Sequence, residues 1–213
     1  MLTLENIFRF SVRIFNQTNT CIMKKIIFFS LLSFTVLTTQ AQIGIKGGLN
    51  LSNWHGKEVS NDENTSLAGF YFGLYGNVVL YRTISLQSEV VFSEEGVKLK
   101  DVDEHIRLNY LNIAELVRYN VTNSRFFVGT GPQIGFLLCA FWDTSGKKAF
   151  LKDEFKLGNF SWAFAAGYDL KCGLGFYARY NLGLSNILAE LGSEAKQSSL
   201  QVGLRYNFKT KMK

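Results

Sequence analysis

His55 and His105 are the two imidazoles of the chain, and both fall in polar stretches between apolar segments. His105 follows Asp101, Asp103 and Glu104. Carboxylates beside an imidazole can hold a divalent metal or pass protons. The spacing suits neither use, because Asp101-Val102-Asp103 lacks the glycine and terminal glutamate of a calcium loop and no nucleophile motif stands near either histidine. A solvated acidic loop is the simpler reading, so no catalytic, cofactor or metal site is expected. Gly129-Thr130-Gly131-Pro132 has the look of a phosphate loop but lacks the Gly-x-Gly-x-x-Gly spacing and a following helix.

A second set of polar residues is interleaved with apolar ones: Lys46, Gln87, Glu89, Arg118, Arg179, Asn181 and Arg205. What they can do depends on the elements that carry them. Residues 199–208 place an apolar side chain at every even position and a polar one or Gly at every odd position, the period of a strand with one apolar wall. Eight such segments recur at about 42–53, 66–79, 83–95, 106–121, 125–141, 159–171, 174–187 and 197–208. Their connections alternate. Leu80–Arg82, Thr122–Ser124 and Cys172–Gly173 suit tight turns, whereas 54–65, 96–105, 142–158 and 188–196 are long and polar.

Short turns on one side and long loops on the other are the asymmetry of a transmembrane barrel. The fold class predicted is all-β, an eight-stranded antiparallel up-and-down transmembrane β-barrel, closed because lipid offers nothing to an unpaired backbone edge. Ile43, Ile45, Leu49, Phe70, Phe72, Leu74, Ile84, Leu86, Val90, Phe92, Ile134, Phe136, Leu138, Trp162, Phe164, Phe176, Tyr180 and Leu182 are then outward. Lys46, Gln87, Glu89, Arg118, Arg179, Asn181 and Arg205 are inward, where eight strands leave room for side chains and little else. They are expected to form an internal plug of ion pairs and hydrogen bonds, since an unpaired charge in such a space is costly. Tyr81, Tyr168, Tyr206 and Phe208 suit one interfacial girdle, and Trp54, Trp142 and Trp162 the other. Glu115 fits badly: it shares a face with Leu111, Ile113 and Val117, and a β-bulge near Ala114 would turn it inward.

The start of the chain supplies the compartment. Met23-Lys24-Lys25, the apolar run 26–37 and Thr38–Ala41 have the three parts of a secretory signal peptide. Residues 1–22 read as an over-extended start, 23–41 as the signal cleaved near Ala41, and 42–213 as the outer-membrane barrel domain. The mature part has 172 residues, with 19 Lys and Arg against 16 Asp and Glu. Those bases are scattered, which argues against nucleic-acid binding. Cys139 and Cys172 fall at opposite barrel ends and are expected to be free thiols.

The stretches 44–52 (GIKGGLNLS), 84–93 (ISLQSEVVFS), 110–113 (YLNI), 129–135 (GTGPQIG) and 178–187 (ARYNLGLSNI) resemble the PorT-like outer-membrane β-barrel family, over about 42–208. The resemblance implies the outer membrane of a Gram-negative bacterium. The expected role is structural or interactive, through the external loops, with outer-membrane lipid and other envelope or surface proteins as partners and a monomeric barrel. It is neither an enzyme nor a general porin. Trp142, Phe150, Leu151 and Phe155, apolar residues among charges in one loop, are the predicted contact surface. Two other readings remain: a soluble periplasmic lipocalin-like barrel with its apolar wall inward, and a hydrolase carried on the outer loops.

Overall fold

A computed structural model describes residues 42–56, 64–99, 104–144, 147–150, 154–189 and 194–208. The expected extension and signal peptide (1–41) and Leu151 lie outside the described residues. In chain order the strands are β1 (Gln42–His55), β2 (Asn64–Tyr81), β3 (Ile84–Leu99), β4 (Glu104–Asn120), β5 (Phe126–Thr144), β6 (Lys147–Phe150), β7 (Gly158–Asp169), β8 (Leu174–Gly183) and β9 (Lys196–Asn207). Each pairs antiparallel with its neighbours. β4 pairs with β5 and β1 with β9, which closes a ring of eight strands. The four residues of β6 add a short ninth strand on the end of β5.

Period-two alternation decides which way every side chain points. Along β1, Ile43, Ile45, Leu49 and Leu51 are exposed while Lys46, Asn50, Ser52 and Trp54 are buried. On the outside Leu49 is 63% exposed, Leu74 58% and Phe72 57%, so the barrel presents its apolar wall outward. A lipocalin-like carrier needs that wall inside, and the faces rule this reading out. On β4 the outward run Tyr119, Val117, Glu115, Ile113, Leu111 is followed by Asn109 and Arg107. Arg107 Nη1 pairs with Glu94 Oε1 at 2.6 Å, so charge replaces the apolar run at this end of the strands.

The described short connections are tight. Arg82 between β2 and β3 (φ 36°), Asn123 between β4 and β5 (φ 58°) and Gly173 between β7 and β8 (φ 94°) take left-handed backbone, which Gly and Asn adopt most readily. Phe126, Tyr168, Tyr206 and Phe208 cluster outward near these turns.

Three expectations are corrected. The β3–β4 register runs without a shift from Ile84↔Tyr119 to Lys98↔His105, and the β4–β5 bulge falls at Asn109/Tyr110. No bulge turns Glu115 inward, so it stays on the lipid side. Trp54 does not join an outer girdle, because it shares parity with Asn50 and Ser52 and is only 8% exposed, inside the barrel. The segment expected to run to residue 187 leaves the wall at Gly183, where any Cβ would meet the Gln197 carbonyl. Beyond it, Ser185 Oγ accepts the Phe160 N–H and Asn186 Oδ1 accepts the N–H groups of Leu188 and Ala195. These side-chain bonds offer the backbone an alternative to the ladder.

Candidate functional site

The inward faces meet in three polar tiers beneath an apolar cap. At the turn end, Arg118 Nη2 pairs with Asp169 Oδ2 at 2.7 Å, and Arg205 Nε lies 3.3 Å from Asp169 Oδ1. Both guanidinium groups also donate to Gln87 Oε1, each at 3.3 Å. Both stand against the Phe127 ring, with centroid distances of 3.7 Å for Arg118 and 4.8 Å for Arg205, a geometry that favours planar cations on an aromatic face. Tyr75 Oη accepts from Arg205 Nε at 3.1 Å and donates to Asn207 Oδ1 at 2.6 Å.

Glu89 is the hub of the middle tier. Its Oε2 accepts from Lys46 Nζ at 2.5 Å and from Arg179 Nη1, and its Oε1 accepts from Gln87 Nε2 at 2.5 Å and from Tyr177 Oη at 3.4 Å. Arg179 also donates to Gln133 Oε1 at 2.5 Å and Asn181 Oδ1 at 2.6 Å, and Asn181 Nδ2 donates to Ser199 Oγ at 3.0 Å. Lys46 Nζ stands 4.5 Å from the Tyr177 ring centroid. Glu89, Arg179 and Arg205 are each about 1–2% exposed. A carboxylate so enclosed is tolerable because both oxygens are saturated by cationic and neutral donors.

Above this lies a third tier, in which neutral side chains surround Glu95. Asn50 Nδ2 and Gln201 Nε2 donate to Ser93 Oγ at 3.1 and 3.5 Å, while Glu95 accepts from Asn112 Nδ2 at 3.2 Å and from Gln197 Nε2. The cap then closes the loop end: Trp54, Val97, Leu108, Tyr110, Leu137, Ala140, Phe155, Ile187 and Ala195 form one buried apolar cluster. Phe155 and Ile187 come from segments that cross the mouth, joined by the Phe155↔Leu188 bridge and the Lys156 N–H to Ile187 carbonyl bond of 2.8 Å. The Trp54 and Phe155 rings meet edge-on at 5.8 Å.

Lys46, Gln87, Glu89, Arg118, Arg179, Asn181 and Arg205 are therefore brought into two adjoining tiers. Asp169, which completes the tier at the turn end, and Glu95, the centre of the third tier, escaped the sequence reading, although each has inward parity on its strand. The predicted loop surface is divided. Trp142 is 37% exposed, with its Nε1 donating to Glu104 Oε2 at 3.2 Å, and Phe150 is 73% exposed against the Phe141 ring. Phe155, by contrast, is 5% exposed and belongs to the cap, because its segment turns in to bury the ring against Trp54.

The two histidines stand apart at the loop end. His105 Nε2 is 3.4 Å from Asp143 Oδ2. His55 pairs across to Lys196, and partial burial together with that lysine's charge holds its pKa below the usual histidine value. Among the described residues no serine hydroxyl or thiol is hydrogen-bonded to either imidazole. Cys139 and Cys172 are free thiols.

The family model described as "Outer membrane protein beta-barrel domain" matches residues 15–189. Among solved structures, the chain is similar to Neisserial surface protein A (13% identity, TM-score 0.48, 79% of this chain and 99% of that one). It is also similar to OprG from Pseudomonas aeruginosa (14%, 0.46, 80% and 97%) and to Ail, the attachment invasion locus protein of Yersinia pestis (13%, 0.44, 79% and 97%). No curated protein matches the sequence.

Proposed function

Because this chain belongs to the outer membrane protein β-barrel domain family, we propose that it serves as a small outer-membrane barrel that works through its outer rim and not through its lumen. The observation that carries this reading is the filling of the interior from end to end, with charged tiers at the turn end and middle and an apolar cap at the mouth. An eight-stranded barrel filled by its own side chains offers no solute path, which leaves the surface outside the lipid belt to meet partners. There β5 runs on past its pairing with β7 and is joined by β6. The pair presents Phe150 and Trp142, with Leu157 nearby at 63% exposure. Exposed aromatic residues of this kind are enriched where proteins meet.

The partner class is another envelope or surface protein. Within the family, the motifs at 44–52, 84–93 and 129–135 support a place among PorT-like barrels. Export through a signal peptide cleaved near Ala41 belongs to the same proposal. A photo-crosslinking residue placed at Phe150 in living cells tests it against the same probe at Asn123 in a turn of the opposite end. Discrete protein adducts are expected at Phe150; adducts no more abundant than those at Asn123 contradict the proposal.

A further inference from the structure

Among the described residues Glu115 is the one acid in the middle of the lipid-facing wall. On β4 it is the third of five outward residues between Tyr119 and Leu111, and on β3 its partner Ser88 is the third of five between Ile84 and Phe92. Ser88 Oγ donates to Glu115 Oε2 at 2.7 Å. Among the described residues Ser88 is the side-chain donor to this carboxyl, although a carboxyl group has room for several. Water is absent from the hydrocarbon and cannot supply the rest. The neighbouring polar group behaves differently: Thr130 Oγ1 accepts from Trp162 Nε1 at 2.8 Å and donates to the Ala163 carbonyl at 3.0 Å, so it is satisfied within its own wall.

Around Glu115 the wall is aliphatic. Leu86 and Val90 flank Ser88 on β3, and Val117 and Ile113 flank Glu115 on β4. On β5 the adjacent outward residue is Pro132, and the ladder skips Glu115 and Leu116 there; a proline has no N–H to contribute. The aromatic knobs of this side, Phe70, Phe72 and Phe92, are gathered nearer the loop end, with ring centroids 5.1–6.2 Å apart.

We infer that the β3–β4 wall is the contact face of a homodimer within the membrane, in which the Ser88–Glu115 pair of one copy meets that of a second copy. Two barrels with their loops on the same side of the membrane can be related only by a two-fold axis along the membrane normal. In such an isologous contact a patch meets itself. An axis between β3 and β4 sets Ser88 opposite the partner's Glu115, and Glu115 opposite the partner's Ser88. A donor and an acceptor side by side in one row are thus self-complementary. Among the described residues the lipid belt carries no lysine or arginine, and a carboxyl in hydrocarbon without a cation keeps its proton, so its own O–H can donate to the Ser88 Oγ of a second copy while each Ser88 keeps its bond to Glu115 of its own chain. Interhelical polar pairs act in the same way in membranes. The monomer expected from the sequence is the outcome that opposes this pair.

The test uses the mature barrel folded into phospholipid vesicles, with energy transfer between two labelled populations followed as lipid is added. Folding of every variant is checked by the mobility shift on heating. Wild type is expected to associate in a dilution-dependent way. Glu115→Leu, which suits the lipid face, should need roughly tenfold more protein per lipid for half-association, and Glu115→Gln, which keeps the hydrogen bonds, less than about threefold. In a Cys139→Ser, Cys172→Ser background, Val117→Cys should cross-link to itself on oxidation, and Val202→Cys, on the opposite wall, should not. A wild type that stays monomeric at every ratio overturns the inference. So does a Glu115→Leu variant that associates as well as wild type, or equal cross-linking at 117 and 202.

Discussion

Glu89 and Glu115 lie on neighbouring strands, one step apart in the register that pairs Glu89 with Ala114 and Ser88 with Glu115, yet they face opposite solvents. Glu89 points into the lumen, where Lys46, Arg179, Gln87 and Tyr177 surround it. Glu115 points at lipid with Ser88 beside it. The same side chain is thus made structural by one face of the sheet and left wanting a partner by the other. A closed wall two residues in period turns a single step along a strand into a change of medium, and the medium sets how many partners a charge requires.

The largest test of that contrast is Glu89→Leu. It strips the shared acceptor from two buried cations, and the folded barrel is expected to lose about 3–5 kcal/mol in urea unfolding from lipid vesicles; a loss under about 1 kcal/mol would show that the tier is no more than a surface-like ion pair. A smaller effect is expected at the cap. Phe155→Ala leaves a void against Trp54 and should cost about 3 kcal/mol in the same assay, whereas a neutral result would place that ring outside the mouth. The smallest and opposite in sign is Glu115→Leu. Replacing a lipid-facing acid with an aliphatic residue should stabilise the folded barrel by roughly 1–2 kcal/mol at protein-to-lipid ratios dilute enough to keep the barrels apart, so destabilisation under that condition would mean that Glu115 is held by groups of its own chain.

Period-two alternation made most of this legible. Ile43, Ile45 and Leu49 point outward, and Lys46 and Asn50 inward, because a paired strand has no freedom to do otherwise once one wall meets lipid. Asp169 and Glu95 obey the same parity, with Ala163, Ala165 and Gly167 preceding the one and Glu89, Val91 and Ser93 the other, and were overlooked because each sits near a strand end. The cap was not readable. Phe155 and Ile187 lie in segments without a period, and only the crossing of the mouth brings them against Trp54 and Leu108. Exposed and buried aromatic residues of one loop, Phe150 and Phe155, look alike in sequence. The side-chain bonds of Ser185 and Asn186 that end β8 early also depend on partners distant in the chain.

Conductance across a planar lipid bilayer tests the central claim, a lumen closed by its own side chains, most directly. The purified mature barrel should insert without discrete current steps above the protein-free baseline. Stable, voltage-independent openings of a single conductance level would show a continuous aqueous path past Glu89 and the Trp54–Phe155 cap, and would contradict the account.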